Sequence, residues 1–266
     1  MSPSDPSGLP EPRKAGSFSR PPSDRRRLHG AIAHQIALDI VSGAYPPRSV
    51  LPNEDDFSRA LDVSRSAYRE AIRILSAKGL VESRPKAGTR ITDRSQWNLV
   101  DPDVLAWHFE AGPPERYVQH LFELRRIIEP RCAALAAERR TEADLERMRT
   151  SLALMARHTL HVPDGAVADL AFHQAVIEAT RNEALISLSP GISTTIKWVN
   201  LIKYGRTTDS LKRDPIPDHT AVYEAIRDRD VAAAEQAMDH LVRLARDDLD
   251  SVRSPADAGT LPDAPG

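Results

Sequence analysis

The sequence predicts a mainly α protein of two domains, an N-terminal winged helix-turn-helix followed by a C-terminal all-α bundle of six or seven helices. Three observations carry this prediction. Apolar residues recur at helical spacing through most of residues 25–252. A pair of short helical segments joined by a tight turn, then two short strands, lies within residues 25–95. After residue 115 no alternating strand pattern occurs. A chain of 266 residues is long enough for two domains of ordinary size.

Taken in order, residues 1–24 and 253–266 read as disordered tails. Nine of the 21 prolines fall in residues 1–22 and 254–266, and neither stretch has apolar periodicity. In residues 25–42, Leu28, Ile32, Ile36 and Ile40 recur every fourth position, which describes an amphipathic helix ended by Gly43 and the pair Pro46-Pro47. Residues 53–61 and 64–78 form two further helices across the Asp62-Val63 connection, and Gly79 closes the second. Residues 80–83 and 89–91 read as strands around a turn at 85–88. Together residues 25–95 make the first domain. Residues 96–114 are irregular and carry Pro102, Pro113 and Pro114, so a linker or docking segment is expected. Residues 115–252 make the second domain, with helices at 115–138, 141–157, 164–179, 182–188, 191–205, 218–228 and 230–251.

No apolar run approaches the roughly 18 residues that span a bilayer, and the start of the chain lacks the apolar stretch of a secretory signal. The single Cys132 excludes an intramolecular disulfide, so a cytoplasmic protein with no membrane association is expected. Charge is unevenly divided. Residues 1–95 hold 16 Lys/Arg against 11 Asp/Glu, a net of +5, and the rest hold 20 against 27, a net of −7. A polyanion partner is therefore expected for the front half alone.

The helix at 64–78 has the form of a DNA reader. Ser64 suits an N-cap. A turn of 100° per residue puts Ala67, Ala71, Ile74 and Leu75 on one face and Arg65, Arg69 and Arg73, flanked by Ser66, on the other. Arginine forks pair with guanine edges or phosphates, and a helix N-terminus favours a phosphate. A solvated face is the commoner fate of an isolated basic stripe, but here a short helix precedes it and a hairpin with Arg84, Lys86 and Arg90 follows as a wing.

Leu51-Pro52-Asn53-Glu54, Ser64-Arg65, Tyr68-Arg69-Glu70-Ala71, Gly79-Leu80-Val81, and Arg84-Pro85 with Gly88-Thr89 resemble the GntR-type winged-helix domain over roughly residues 25–92. The resemblance implies that Ser64, Arg65, Ser66 and Arg69 sit at the operator, with Lys86 and Gly88 on the wing. It also marks a departure: where the family often has a DNA-contacting arginine after Leu-Pro-x-Glu, this chain has Asp55. Either Asp55 accepts from a cytosine amine or it turns away, with Arg48 or Arg59 compensating.

In the second half, Asp169 and His173 stand i, i+4 on one helix face; His219 falls on the stripe of Val222, Tyr223 and Ile226, and His240 on that of Ala233, Ala237, Leu241 and Leu244. A buried polar group without a partner costs on the order of 1–3 kcal/mol, so these four need partners. Any one of these histidines taken alone reads as a core residue bonded to backbone. One divalent cation, Zn²⁺ first and Ni²⁺, Mn²⁺ or Fe²⁺ as alternatives, would serve all four and keep open positions. Arg125 borders the stripe of Tyr117, Leu121, Ile128 and Cys132, where it either forks onto a ligand carboxylate or pairs with Glu129. Lys197, Trp198 and Asn200 are further pocket candidates.

Asp169-x-x-x-His173, Asp218-His219-Thr220, Asp239-His240-Leu241 and the segment from Leu121 to Pro130 are similar to the FCD ligand-binding domain over about residues 115–250. That resemblance implies a metal held by one Asp and three His, and a small carboxylate effector held against it. Residues 97–107 are similar to linkers in regulators of sugar-acid use, which implies an aldonate or related acid. The expected function is a homodimeric regulator, a repressor in the favoured form, that grips an inverted-repeat DNA operator and is released by the acid. The alternative is a metal-dependent hydrolase or lyase using the same Asp/His cluster.

Overall fold

The computed structural model describes residues 25–84, 88–158, 160, 162–205 and 213–252. Both tails, the wing residue Lys86 and the loop residue His161 lie outside the described residues. The chain divides into two compact units, Met1–Gly112 and Pro113–Gly266.

The first unit runs α1 (Arg25–Val41), α2 (Glu54–Leu61), α3 (Arg65–Ala77), β1 (Val81–Arg84), β2 (Gly88–Ile91), a 3₁₀ turn and α4 (Pro102–Ala111). Local chemistry explains the boundaries. Asn53 Oδ1 accepts the Asp56 N–H at 2.9 Å, opening α2, and Asp62 ends it in the left-handed conformation at φ 51°. Two residues later Ser64 Oγ accepts the Ala67 N–H at 3.2 Å and opens α3. Gly79 at φ +80° follows α3, and a Cβ there would stand 2.1 Å from the Gln96 carbonyl oxygen, so only glycine fits. The strands pair antiparallel with Val81 opposite Ile91, and Val50 adds a bridge to Arg90. Ile32, Ile36 and Ile40 of α1 form the core with Ala67, Ala71 and Leu75 of α3, closed by Leu80, Val81 and Ile91.

Most of the expected linker at 96–114 is instead part of this unit. Pro102 begins α4 rather than breaking a helix, because the first-turn N–H groups have no intrahelical partner anyway. Asp101 Oδ1 accepts the N–H groups of Asp103 and Val104, and Val104 and Trp107 enter the core with Trp97. Lys78, just past the end of α3, reaches Asp101 at 2.7 Å and Asp103 at 2.8 Å.

The second unit consists of α5 (Glu115–Arg139), α6 (Glu142–His158), α7 (Pro163–Ala179), α8 (Glu183–Gly205), α9 (Ile216–Arg227) and α10 (Val231–Val252). The helices expected at 182–188 and 191–205 are one. Pro190 removes a single N–H donor, and Ile192, Ile196 and Val199 keep the helix packed beyond it. α6 packs on α7, and α5 and α9 pack on α10, around Met148, Met155, Phe172, Ile177, Ile226 and Met238. Buried Asp144 joins α6 to the turn after α7: it takes the Thr141 N–H at 2.8 Å, Arg147 at 2.6 Å and Arg181 at 2.5 Å. Cys132 is fully buried, and burial pushes its thiol up to about 12. Among the described residues, no helix is long and apolar enough to cross a membrane.

Candidate functional site

Asp169 and His173 lie one turn apart on α7 and share its inward face. His219 enters from the first turns of α9. The three side chains are almost fully buried, and each offers a ligand atom within 4.8 Å of the others. The far side of each ring fixes its proton. His219 Nδ1 lies 2.8 Å from the Pro215 carbonyl oxygen, which only accepts, so Nδ1 carries the hydrogen. His173 Nδ1 lies 2.6 Å from Glu129 Oε2. Burial pushes the Glu129 carboxyl up, but the Arg125 guanidinium and His173 more than reverse this and bring it to about 2. Glu129 is thus an ionised acceptor whose charge favours a proton on the adjoining His173 Nδ1, although the two atoms lie out of hydrogen-bond alignment.

Both Nε2 atoms therefore turn their lone pairs inward. His219 Nε2 stands 2.9 Å and His173 Nε2 3.8 Å from the same oxygen, Asp169 Oδ1. Three acceptors facing one another repel unless a positive group stands between them. A shared proton is one solution, but His219 Nε2 lies out of hydrogen-bond alignment with Asp169. A divalent cation is the other. Two imidazoles and one carboxylate, with the distal nitrogens held by Glu129 and a backbone carbonyl, fit such a cation and leave coordination positions open.

The cluster opens onto a cavity of about 30 Å³. Arg125, Lys203 and Arg213 supply positive charge to its wall. Arg125 is buried and donates from Nε to Glu129 Oε1 at 2.5 Å, so it is both a cavity residue and a salt-bridge partner. Lys203 Nζ lies 3.1 Å from Asp248, and Arg213 bonds Asp248 at 2.9 Å and also Asp218. Burial lowers the Lys203 pKa against the opposing pull of Asp248. Asn200 Nδ2 donates to Asp169 Oδ2 at 2.6 Å, orienting the carboxylate.

Three expected site residues are not brought in, the first being Lys197, which is exposed and absent from the described lining of the cavity. Trp198 is half-buried and is not among the described residues lining the cavity. His240 is 52% exposed at its side chain and stands 4.0 Å from Asp218, outside the cluster. The buried row of α10 is Ala234, Met238, Leu241 and Leu249, so Leu241, one residue on, faces the cavity instead. Lys203 and Arg213 were missed, and Glu129 was expected only as a partner for Arg125. For Lys203 the signal was present, since it continues the helical row of Ile192, Ile196, Val199 and Asn200.

In the first unit, α3 and the wing flank a groove lined in part by Glu54, Arg69, Arg73, Arg84 and Gly88. Arg65, Arg69 and Arg73 are 68%, 75% and 79% exposed, and each is paired: with Asp55 at 2.9 Å, with Glu54 at 2.9 Å and with Glu70 at 2.8 Å. Ser64 Oγ also lies 3.0 Å from Ser66 Oγ. Asp55 is compensated neither by Arg59, which pairs with Asp56, nor by Arg48, which pairs with Asp93; its partner is Arg65. Gly88, at φ +77°, opens β2.

Comparison with known proteins agrees with both halves. Residues 28–91 match the family described as bacterial regulatory proteins, gntR family, and residues 120–244 match the FCD domain. The chain is similar to the galactonate operon transcriptional repressor of Escherichia coli (strain K12), at 35% identity over 209 residues, 77% of this chain and 90% of that protein. It is also similar to the Uxu operon transcriptional regulator of the same organism, at 33% identity, 80% of this chain and 83% of that protein. A solved structure, that of Lar, which controls the expression of the Listeria monocytogenes agr system, shares the fold with a TM-score of 0.58 at 19% identity, covering 88% of this chain and all of that one. These relatives are regulators rather than enzymes, which sets aside the hydrolase or lyase alternative. The chain belongs to the GntR family of transcription regulators and carries an FCD domain behind its winged helix.

Proposed function

We propose that this regulator is a homodimeric, cytoplasmic repressor whose C-terminal bundle senses a small carboxylate at a divalent metal. The observation that carries the reading is the convergence of Asp169 Oδ1 and the two Nε2 atoms of His173 and His219, acceptors that need a cation between them. Such an ion supplies a Lewis-acidic point for carboxylate oxygen. Arg125, Lys203 and Arg213 line the same cavity and add the positive field an acid requires. Similarity to a galactonate operon repressor supports a sugar acid as the effector class.

At the other end, Arg65, Arg69 and Arg73, the capped N-terminus at Ser64 and Ser66, and Arg48, Lys86 and Gly88 near or on the wing form the operator-binding surface. Exposed ion pairs contribute only about 0–1 kcal/mol, so phosphates or guanine edges displace Asp55, Glu54 and Glu70 at little cost. With each subunit supplying one winged helix, a dimer reads an inverted repeat. The acid releases DNA by binding more tightly to the arrangement that does not fit the operator.

The test is to select binding sites from random duplexes with metal-loaded protein, then follow one selected duplex by fluorescence anisotropy while adding galactonate and related acids. We expect an inverted-repeat consensus, release by at least one acid, and loss of that response in chelator-treated protein. DNA binding that ignores every acid, or responds equally without metal, overturns the reading.

A further inference from the structure

Resting on the metal-and-acid reading above, we propose that the metal centre of this chain is one protein donor short and that the effector, a carboxylate with a neighbouring hydroxyl, completes it. Metal and acid then each strengthen the binding of the other.

The donor count comes from α10. Its phase decides it: His240 is largely exposed beside Asp218, whereas Leu241 and Ala245 line the cavity and Met238 is buried. One residue along a helix is a rotation of about 100°, so His240 cannot face the cluster while Leu241 does. Asp169, His173 and His219 thus form a three-donor set among the described residues. The divalent ions suited to imidazole and carboxylate take four to six ligands, so at least one position falls to something beyond this set. Of the described polar groups at the wall, Arg125, Lys203 and Arg213 are cations, and the Asn200 amide is engaged in orienting Asp169.

A hydroxy acid answers this arrangement better than a bare acid. Its carboxylate and adjacent hydroxyl give two oxygens to one ion, while the second carboxylate oxygen meets the cationic wall. The cavity of about 30 Å³ is small for an acid of this kind. Entry of the acid therefore widens the bundle, and the metal contacts it gains are what draw the wider form out. By linkage, whatever factor the acid adds to metal affinity, the metal adds to acid affinity.

Zinc competition with a chromophoric chelator tests this on the full chain. With galactonate, lactate or citrate present, and after correction for free zinc complexes, we expect zinc affinity to rise about tenfold or more for at least one acid. Butyrate, which lacks the hydroxyl, should leave it unchanged. Leu241→His should raise zinc affinity about tenfold without acid and shrink the gain from acid to within about twofold, as expected for a restored donor. His240→Ala should change nothing. If Leu241→His does not fold, the acid titration of the unaltered chain and His240→Ala still decide the matter. Zinc binding that is tight and indifferent to every acid, or that falls as far with His240→Ala as with His219→Ala, overturns the proposal and leaves the metal reading standing. No zinc binding under any condition removes both.

Discussion

The two ends of the chain use the same chemical pair, arginine with carboxylate, in opposite settings. On α3 the pairs Arg65–Asp55 and Arg69–Glu54 stand in water, with the guanidinium groups 68% and 75% exposed. In the bundle, Arg125–Glu129 has both side chains within 4% of full burial. Solvated pairs exchange partners readily; buried ones hold each other because neither charge tolerates being left alone. The front surface is thus suited to trading protein carboxylates for nucleic-acid phosphates. The rear site is suited to holding a fixed arrangement until a ligand with matching charge enters.

The sharpest way to break this contrast is Glu129→Ala. It strands the buried Arg125 guanidinium and should cost about 3–5 kcal/mol in thermal unfolding, where an exposed pair would cost almost nothing. Replacing the pair together, Arg125→Met with Glu129→Leu, should recover most of that loss. An equally large deficit in the double variant would show that burial of the pair is not the source.

Buried imidazoles sharpen the comparison further. His173 and His219 face carboxylates, whereas burial, with Arg94 nearby, lowers His108 in the first unit to about 3. The unfolded chain protonates this histidine at about 6.5, so acid favours unfolding: stability is full above about pH 6.5 and declines toward pH 3. At pH 5 the loss should be about 2 kcal/mol, and it should vanish in His108→Leu. A unit whose unfolding temperature responds identically in both proteins would refute this.

On the DNA face the effects should be comparable or smaller. Arg69→Ala should weaken binding of the selected duplex by about 1–3 kcal/mol if Arg69 reads a base, with zinc affinity unchanged. Smallest of all, Asp55→Ala should leave stability within about 1 kcal/mol and modestly tighten DNA, since it frees Arg65 from an exposed partner. A large stability loss there would mean the pair is structural and the contrast between the two ends is wrong.

Much of this was legible in the sequence because caps and periodicity act locally. Asn53, Ser64 and Gly79 mark the limits of α2 and α3 through contacts within a few residues or a backbone conformation that favours glycine. The i, i+4 spacing of Asp169 and His173 on a periodic helix likewise put both on one face. The errors arise where tertiary packing chooses between equal local options. Pro102 and Pro190 read as breaks, yet one starts a helix and the other sits inside one. Along α10, alanines on both sides left the phase of the buried row ambiguous by one residue, which is enough to exchange His240 for Leu241. Lys203 and Arg213 went unassigned because their place at the cavity depends on Asp248, which comes from a distant helix.

The clasp of Lys78 by Asp101 and Asp103 has a practical bearing on how the molecule is divided. A fragment ending near residue 95 would strip Val104 and Trp107 from the isoleucine row of α1 and leave the lysine ammonium half-solvated at the end of the reading helix. The smallest self-sufficient DNA-binding piece therefore extends to Gly112, and a shorter one should be sticky, poorly cooperative in melting and weak on its operator even with every arginine of α3 intact.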